Sequence, residues 1–234
     1  MTLFHGLLLP ILWHFSISGL PAENTPLTSI PENENNSEIL LATLAENHPN
    51  PPSLYALDLA LDGYEKLENE LKKPILTVID FTLPSTERRL WIIDLEKEEI
   101  LLNTVVSHGR NSGNLMAEKF SNRPESYQSS LGFYKTAETY QGKHGYSLRL
   151  DGLEKGINDQ ARNRAIVIHG ADYAREEVAK TAGRLGRSLG CPAVPTELSN
   201  QLIDLIKDGS LIFVYGKDQN YLAQSELLEL DSTL

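Results

Sequence analysis

The chain has 234 residues, of which 41% are hydrophobic and 23% are charged, and its formal net charge is -11. This composition suits one domain with a hydrophobic core plus an extra segment, and it excludes a disordered acidic chain. The negative charge argues against nucleic-acid binding, which needs a basic face, and against electrostatic docking on anionic lipid. It is compatible with a polymer of peptide and sugar.

The amino-terminal segment has the pattern of an export signal. Residues 7–15 form an apolar run that is too short to span a bilayer, and small residues follow it as far as Ala22. Residues 1–22 are therefore predicted to be a signal peptide, which places the protein in the periplasm or another extracytoplasmic compartment of a bacterium. No Lys or Arg precedes the run, so a loosely packed hydrophobic arm is the alternative. No later stretch predicts stable membrane insertion.

The next segments are predicted to be a linker and a helix. Residues 23–52 are rich in Pro, Asn, Glu and Ser, which favours a disordered linker with at most a short helix around residues 38–46. Ser53 is a good N-cap, and a helix is predicted over residues 53–73. Its apolar residues recur at steps of three and four and share one face, namely Leu54, Leu57, Leu61, Tyr64, Leu67 and Leu71.

Short apolar runs dominate the sequence after Pro74 and predict a β-rich domain over residues 74–217. Helical patterns follow late in this domain, and residues 218–234 are predicted to be an acidic tail. The order of elements favours an α+β fold, a β-rich sandwich or barrel with a few helices and an amino-terminal amphipathic helix. Strands are predicted over residues 76–83, 89–94, 100–106, 131–137, 147–150, 165–169 and 211–215, and helices over 173–181 and 196–209.

Cys191 is the single cysteine, so the chain cannot form an intramolecular disulfide. A lone Cys with His residues elsewhere is a candidate nucleophile, and a buried inert thiol is the alternative. His169 follows the apolar run Ile166-Val167-Ile168 and precedes Gly170, which predicts an imidazole at the rim of the sheet. His169 is therefore the candidate general base, although a core histidine would give the same local pattern.

The segment around Cys191 is rich in glycine, with Gly183, Gly186 and Gly190. Gly190 would let backbone N–H groups near the sulfur hold the oxyanion of a tetrahedral intermediate. A free thiol titrates near ~8.5, so a thiolate needs a base or a positive field, for which Arg184 and Arg187 are candidates. An ordinary loop and a solvated basic face are the alternatives.

A zinc site is the competing interpretation of Cys and His in one span. His108 and His144 would complete such a site with His169 and Cys191. Structural zinc sites have four ligands, several of which are usually Cys, and this chain has one. The prediction is therefore no metal and no other cofactor.

The residues of this span resemble a known family. His169-Gly170 followed by Ser188-Leu189-Gly190-Cys191 is similar to the His-Gly … Ser-x-Gly-Cys signature of the YkuD-type L,D-transpeptidases. Within that group the chain looks most like the murein L,D-transpeptidase catalytic domain family, over about residues 76–215. The motifs that support this are Ser107-His108-Gly109, Gln128-Ser129-Ser130-Leu131-Gly132-Phe133-Tyr134, Tyr140-x-Gly142-Lys143-His144-Gly145, Gly156-x-Asn158-Asp159 and residues 186–194.

The resemblance implies acyl transfer on peptidoglycan stem peptides. Cys191 would attack the carbonyl that precedes the terminal D-alanine, His169 would take the thiol proton, and an amine of a second stem would resolve the thioester. Water as acceptor would make the enzyme an L,D-carboxypeptidase, and an inactive cell-wall-binding module is the alternative of another class. No nucleic acid is expected as a partner, and the sequence does not identify any partner protein.

The resemblance also implies a set of site residues, with one departure. Better-known members carry an Arg two residues after the Cys, and Ala193 stands there in this chain. Arg187 or Arg149 is the expected substitute. The predicted catalytic residues are Cys191, His169, Gly190 and Ser188, and the predicted substrate-binding residues are Arg187, Arg184, His108, His144, Gly170 and Arg149.

Overall fold

A computed structural model describes residues 36–229, and an eight-stranded mixed sheet forms the centre of this part of the chain. The strands are β1 (Ile75–Asp80), β2 (Leu90–Asp94), β3 (Glu99–Thr104), β4 (Gly132–Gly142), β5 (Gly145–Gly152), β6 (Val167–Gly170), β7 (Ala193–Val194) and β8 (Leu211–Tyr215). The helices are α1 (Asn36–Asn47), α2 (Leu54–Leu67), α3 (Glu176–Ala182), α4 (Thr196–Ile206) and α5 (Gln219–Gln224).

The sheet has the order β3-β2-β1-β8-β4-β5-β6-β7 and curls into a barrel. The β1–β8 and β6–β7 pairs are parallel, and the others are antiparallel. Ser107, which follows β3, bridges Ala193 of β7, so the two ends of the sheet meet. This architecture confirms the predicted β-rich α+β fold. None of the helices described between residues 36 and 229 has the length and apolar character needed to cross a bilayer.

The central strands are buried on both faces. Every residue of β1 and β8 is buried, because one face lies in the barrel and α2 packs on these two strands. Strands covered on both sides have continuous apolar runs, which is why the sequence predicts them well. The ring of Phe133 on β4 stacks on that of Phe213 on β8, with centroids 4.4 Å apart, and marks the middle of this core.

The predicted amphipathic helix is present as α2. The side chain of Ser53 caps it by accepting from the N–H of Ala56, at 3.3 Å. Leu57 and Leu59 on this helix are buried. The regular helix ends at Leu67 instead of residue 73, and a short 3-10 turn over Glu68–Glu70 leads toward β1.

The carboxyl-terminal part of the predicted linker is ordered, and the short helix allowed around residues 38–46 is present there. Residues 36–47 form α1, which packs on α2 and buries Leu40 and Leu44 in the main core. The hydroxyl of Ser37 donates to the carboxylate of Asp58 on α2, at 2.6 Å. Apolar contact and this hydrogen bond fix a segment whose Pro- and Asn-rich flanks suggest disorder. The predicted signal peptide and residues 23–35 lie outside the described residues.

The predicted acidic tail is wrong for residues 218–229. Asp218 caps α5 by accepting from the N–H groups of Asn220 and Tyr221. Tyr221 and Leu222 are buried, and the Glu154 carboxylate accepts from the hydroxyls of Tyr221 and Ser225. The segment is therefore part of the folded domain. Residues 230–234 lie outside the described residues.

Asn158 is a buried polar residue that ties β4 to the segment after β5. Its Nδ2 donates to the carbonyls of Leu131 and Phe133, at 2.9 and 3.0 Å, and its Oδ1 accepts from the N–H of Glu154, at 2.9 Å. We expect Asn158→Ala to lower the free energy of unfolding by about 2–4 kcal/mol, because it leaves buried backbone groups without this partner. Urea denaturation measures this change.

Asn163→Ala is the matched control, because Asn163 is exposed and its Nδ2 bonds only to the side chain of Gln160. Its unfolding free energy should stay within about 0.5 kcal/mol of wild type. Equal stability of the two variants would contradict the structural role of Asn158.

Candidate active site

Strands β6 and β7 bring His169 and Cys191 to one region of the barrel. The two strands pair in parallel, with His169 opposite Ala193 and Gly170 opposite Val194. Cys191 lies two residues before Ala193, and the N–H of Val167 on β6 contacts its sulfur. The thiol belongs to a partly exposed residue at the start of β7. The sequence prediction that these two residues share one site is thus consistent with the pairing of the strands.

The imidazole of His169 is buried, and one of its nitrogens is held by the backbone. Nδ1 lies 2.9 Å from the carbonyl oxygen of Gly170. Because a carbonyl can only accept, this contact puts the proton on Nδ1 and leaves the lone pair on Nε2. Burial, and secondarily the ring of His144, lowers the pKa of His169. His169 is therefore a neutral imidazole that can accept a proton.

The sulfur of Cys191 contacts the backbone of the segment that leads into β6. Sγ donates to the carbonyl of Ala165, at 3.7 Å. Burial raises the pKa of the Cys191 thiol, although the N–H of Val167 and the charge of Arg164 oppose this effect. In the range 36–229 no hydrogen bond joins Sγ to the ring of His169. At neutral pH the resting thiol is therefore protonated.

Hydrogen bonds within the loop set the conformation of the residues before Cys191. Gly190 has φ +126°, which a residue with a side chain rarely adopts, and its N–H donates to Ser188 Oγ at 3.0 Å. Ser188 Oγ in turn donates to the carbonyl of Cys191, at 2.6 Å. The N–H of Gly190 is therefore engaged, and the N–H of Cys191, which lies next to its own sulfur, is the candidate oxyanion donor.

Ser129 holds the same loop from the opposite side. It is buried, and its Oγ accepts from the N–H of Gly109 at 3.0 Å and donates to the carbonyl of Gly190 at 3.2 Å. Because a peptide group is planar, fixing the carbonyl of Gly190 also fixes the direction of the N–H of Cys191. Ser129 was not among the predicted site residues, although it lies in one of the motifs on which the family resemblance rests.

The two arginines of the glycine-rich segment bind backbone carbonyls. Arg187 Nη1 donates to Arg110 and Gly113, at 3.2 and 2.9 Å, and Arg184 Nη1 donates to Leu185, at 2.8 Å. The cation that acts on the sulfur is Arg164 instead. The expected source of the positive field is thereby corrected. Arg164 is not among the predicted site residues. The signal that could have identified it is a basic residue directly before the predicted strand that ends at His169.

His108 does not lie where a substrate can reach it, so the expected substrate contact is not met. Its side chain is 1% exposed, and Nδ1 lies 2.8 Å from Nη2 of the fully buried Arg89. Burial, and next the charge of Arg89, lowers the pKa of His108 to about 4. Its carbonyl accepts from the N–H of Ser188 at 3.0 Å. His108 therefore supports, through its backbone, the loop of residues 188–191, which is called the nucleophile loop below.

The other predicted substrate-binding residues have different surroundings. His144 lies in the exposed turn between β4 and β5, and its ring stacks on His169 with centroids 4.3 Å apart. Arg149 forms an ion pair with Glu138, at 3.2 Å. A Cβ on Gly170 would lie 2.7 Å from Ser199 Oγ, so this glycine allows α4 to pack closely. The structure thus brings His144 to His169, ties Arg149 to a carboxylate and gives Gly170 a packing role.

The zinc arrangement considered from the sequence is not formed. Among residues 36–229 no three His, Cys, Asp or Glu side chains are grouped so that they could hold a metal ion. Nδ1 of His108 is occupied by Arg89, and Nδ1 of His169 by the carbonyl of Gly170.

Residues 51–215 match the family model of the L,D-transpeptidase catalytic domain. The chain belongs to this family. This membership confirms the resemblance found in the sequence and the predicted class of enzyme. Among curated proteins, none matches the chain.

Several solved structures are similar to this chain, at low identity. An L,D-transpeptidase from Mycobacterium smegmatis is 13% identical, with 62% of this chain and 59% of that chain covered and a TM-score of 0.37. L,D-transpeptidase 3 from Mycobacterium tuberculosis, in complex with a faropenem-derived adduct, is 14% identical, with coverages of 62% and 61% and a TM-score of 0.39. An L,D-transpeptidase from Xylanimonas cellulosilytica is 15% identical, with coverages of 62% and 61% and a TM-score of 0.36. The chain thus spans about three fifths of these relatives.

Proposed function

We propose that this protein is a peptidoglycan L,D-transpeptidase that works through a thioester on Cys191, with His169 as general base. The observation that carries the proposal is the placement of Cys191, a partly exposed residue two positions before β7, beside the strand that holds a neutral imidazole. The lone pair of Nε2 is the proton acceptor that a protonated thiol needs. Membership of the L,D-transpeptidase catalytic domain family supports the class of reaction.

In the first half-reaction the thiol is acylated. Nε2 of His169 takes the Sγ proton, and the sulfur attacks the carbonyl between the third stem residue and the terminal D-alanine. A C–S bond forms, and the C–N bond breaks as the imidazolium returns its proton to the leaving amine. D-Alanine departs, and the shortened stem stays on Cys191 as a thioester. The hydrogen bond from Sγ to the carbonyl of Ala165 has to break before Nε2 can take this proton.

The N–H of Cys191 supports the tetrahedral intermediate in this scheme. Its direction is fixed by the bond from Ser129 to the carbonyl of Gly190, which belongs to the same peptide group. The bond from Ser188 to the carbonyl of Cys191 holds the next peptide group of the loop. A donor that is oriented before the reaction can stabilise the charge that develops on the attacked carbonyl oxygen. Ser188 and Gly190 thus shape the nucleophile loop in this proposal.

In the second half-reaction an amine of a neighbouring stem attacks the thioester. His169 removes a proton from the amine, a new amide forms, and the thiol of Cys191 is released. The product is a crosslink between two stems. With water in place of the amine the product is a tripeptide, and the enzyme would be an L,D-carboxypeptidase.

Incubation of the intact protein with disaccharide stem tetrapeptide, followed by mass analysis of the products, tests the proposal. We expect a crosslinked dimer and one D-alanine released per crosslink. Free D-alanine with tripeptide and no dimer would replace the transpeptidase by the carboxypeptidase. Unchanged tetrapeptide would support the inactive cell-wall-binding module and contradict the proposal.

The proposed substrate also suggests the compartment. Peptidoglycan lies outside the cytoplasmic membrane, so we propose that the enzyme acts in the periplasm or an equivalent compartment. The apolar run at residues 7–15 supports export. Mass-spectrometric mapping of the mature amino terminus tests this, and an uncleaved cytoplasmic protein would contradict it.

A further inference from the structure

Arg164 is a cation that the fold holds against the nucleophile loop. Nη1 donates to the carbonyl of Ser121 and to the hydroxyl of Ser130. Nη2 donates to the hydroxyl of Ser126 and, at 2.6 Å, to the carbonyl of Gln128. A Cβ on Gly190 would lie 3.3 Å from Nη2, so the guanidinium packs directly on the residue before Cys191.

The acceptors that surround Arg164 are all neutral. In the described part of the chain no carboxylate forms an ion pair with this guanidinium, whereas exposed Arg162, two residues earlier, binds both Glu138 and Asp151. A partly buried cation without a counter-charge is unfavourable, and neutral acceptors offset only part of that cost. The negative charge that can complete this environment is the thiolate of Cys191.

The backbone between Arg164 and β6 is bent toward the sulfur. Ala165 has φ 53°, a left-handed conformation that is unfavourable for a residue with a Cβ, and its carbonyl accepts from Cys191 Sγ. This turn places Arg164 on one side of the sulfur and directs the N–H of Val167 at it. Strain of this kind persists where surrounding contacts enforce one arrangement.

We propose that Arg164 is the counter-cation of the Cys191 thiolate, which forms when His169 takes the thiol proton. This inference rests on the proposed function. The other titratable groups described in this region are the phenols of Tyr134 and Tyr173 and the imidazole of His169. Burial raises the pKa of Tyr134, which also interacts with Arg164, and burial and Cys191 raise the pKa of Tyr173 to about 12. Both phenols stay neutral over the working range, so Arg164 is the fixed positive charge at the sulfur.

Alkylation of the intact chain by iodoacetamide, followed between about pH 6 and pH 10, tests this role. Cys191 is the single cysteine, so intact mass reports its reaction alone. Without the charge of Arg164 the thiolate is less stable, and we expect Arg164→Gln to slow alkylation at pH 8 about tenfold and to move the rise of the profile to higher pH. Arg164→Lys keeps the charge, so its profile should rise near the wild-type pH.

Arg162→Gln is the matched control, because it removes an equal charge two residues away. Its profile should coincide with that of wild type. Arg164→Met provides a second neutral variant if the glutamine variant does not fold. The inference would be overturned if the neutral variants at residue 164 had the same alkylation profile as wild type. It would also be overturned if Arg164→Lys had the same profile as the neutral variants, because the charge at this position would then have no effect.

The product assay with stem tetrapeptide separates this inference from the proposed function. If the wild-type protein forms crosslinks and the neutral variants at residue 164 have the wild-type alkylation profile, the pairing of Arg164 with the thiolate is wrong and the transpeptidase proposal stands. If the profile moves as expected and tetrapeptide stays unchanged, the transpeptidase proposal fails and the pairing stands.

Discussion

Replacing Cys191 with alanine should abolish crosslinking of stem peptides, with a fall of about 10⁴-fold or more in rate. The proposed reaction needs a nucleophile that forms and releases an acyl bond, and the chain has no second cysteine to replace it. Initial rates of D-alanine release, measured by mass spectrometry with equal amounts of folded protein, check this expectation.

Stability measurements separate loss of the nucleophile from loss of the fold. The sulfur of Cys191 makes only weak contacts with the backbone, a hydrogen bond to the carbonyl of Ala165 at 3.7 Å and a contact with the N–H of Val167, and the residue is partly exposed. We therefore expect Cys191→Ala to unfold within about 1 kcal/mol of wild type. Cys191→Ser, which keeps a hydroxyl in place of the thiol, should fold equally well. Crosslinking by folded Cys191→Ala at a rate near wild type would rule out the thioester.

The second large effect is expected for His169→Gln, which should slow acylation of Cys191 by about 10²- to 10⁴-fold at neutral pH, the usual contribution of a general base. Glutamine keeps a polar side chain but cannot accept the thiol proton. Because burial lowers the pKa of His169, the wild-type imidazole stays neutral as the pH falls below its ordinary value, and activity should persist there. In the variant the thiolate must form without a base, so the rate should rise with pH through the raised pKa of the thiol.

Acylation rates of wild type and variant between about pH 6 and pH 9 measure this difference. His48→Gln is the matched control, because Nδ1 of His48 contacts the backbone of Asn50 after α1. Its profile should match that of wild type. Parallel pH profiles for wild type and His169→Gln would show that another group removes the proton.

The strands could be predicted because their burial leaves a pattern in the sequence. β8 was predicted with the observed bounds, and β1 with the correct start to within one residue, since apolar side chains fill both faces. β7 consists of Ala193 and Val194 alone, between Pro192 and Pro195, and two residues are too few to form a pattern. α1 is predicted only as a short helix around residues 38–46 within a linker, because its two core leucines lie in a segment whose composition favours disorder.

In the candidate site, too, some features can be predicted from the sequence and others cannot. Cys191 and His169 carry their chemistry in their side chains, and each follows a local signal. The role of Arg164 depends on acceptors contributed by residues 121–130, more than thirty positions away in the sequence. The sequence predicts His108 as a substrate-binding residue, and only the fold shows that it is buried beside Arg89. Local patterns predict the reacting groups, whereas the charges around them depend on tertiary contacts.

The most direct test is the intact mass of the protein a few seconds after it is mixed with stem tetrapeptide and quenched in acid. The account predicts a covalent adduct equal to the stem peptide without its D-alanine, located on Cys191 by peptide mapping, cleaved by hydroxylamine and absent from Cys191→Ala. Turnover of tetrapeptide with the adduct on another residue, or an adduct that persists in Cys191→Ala, would contradict it.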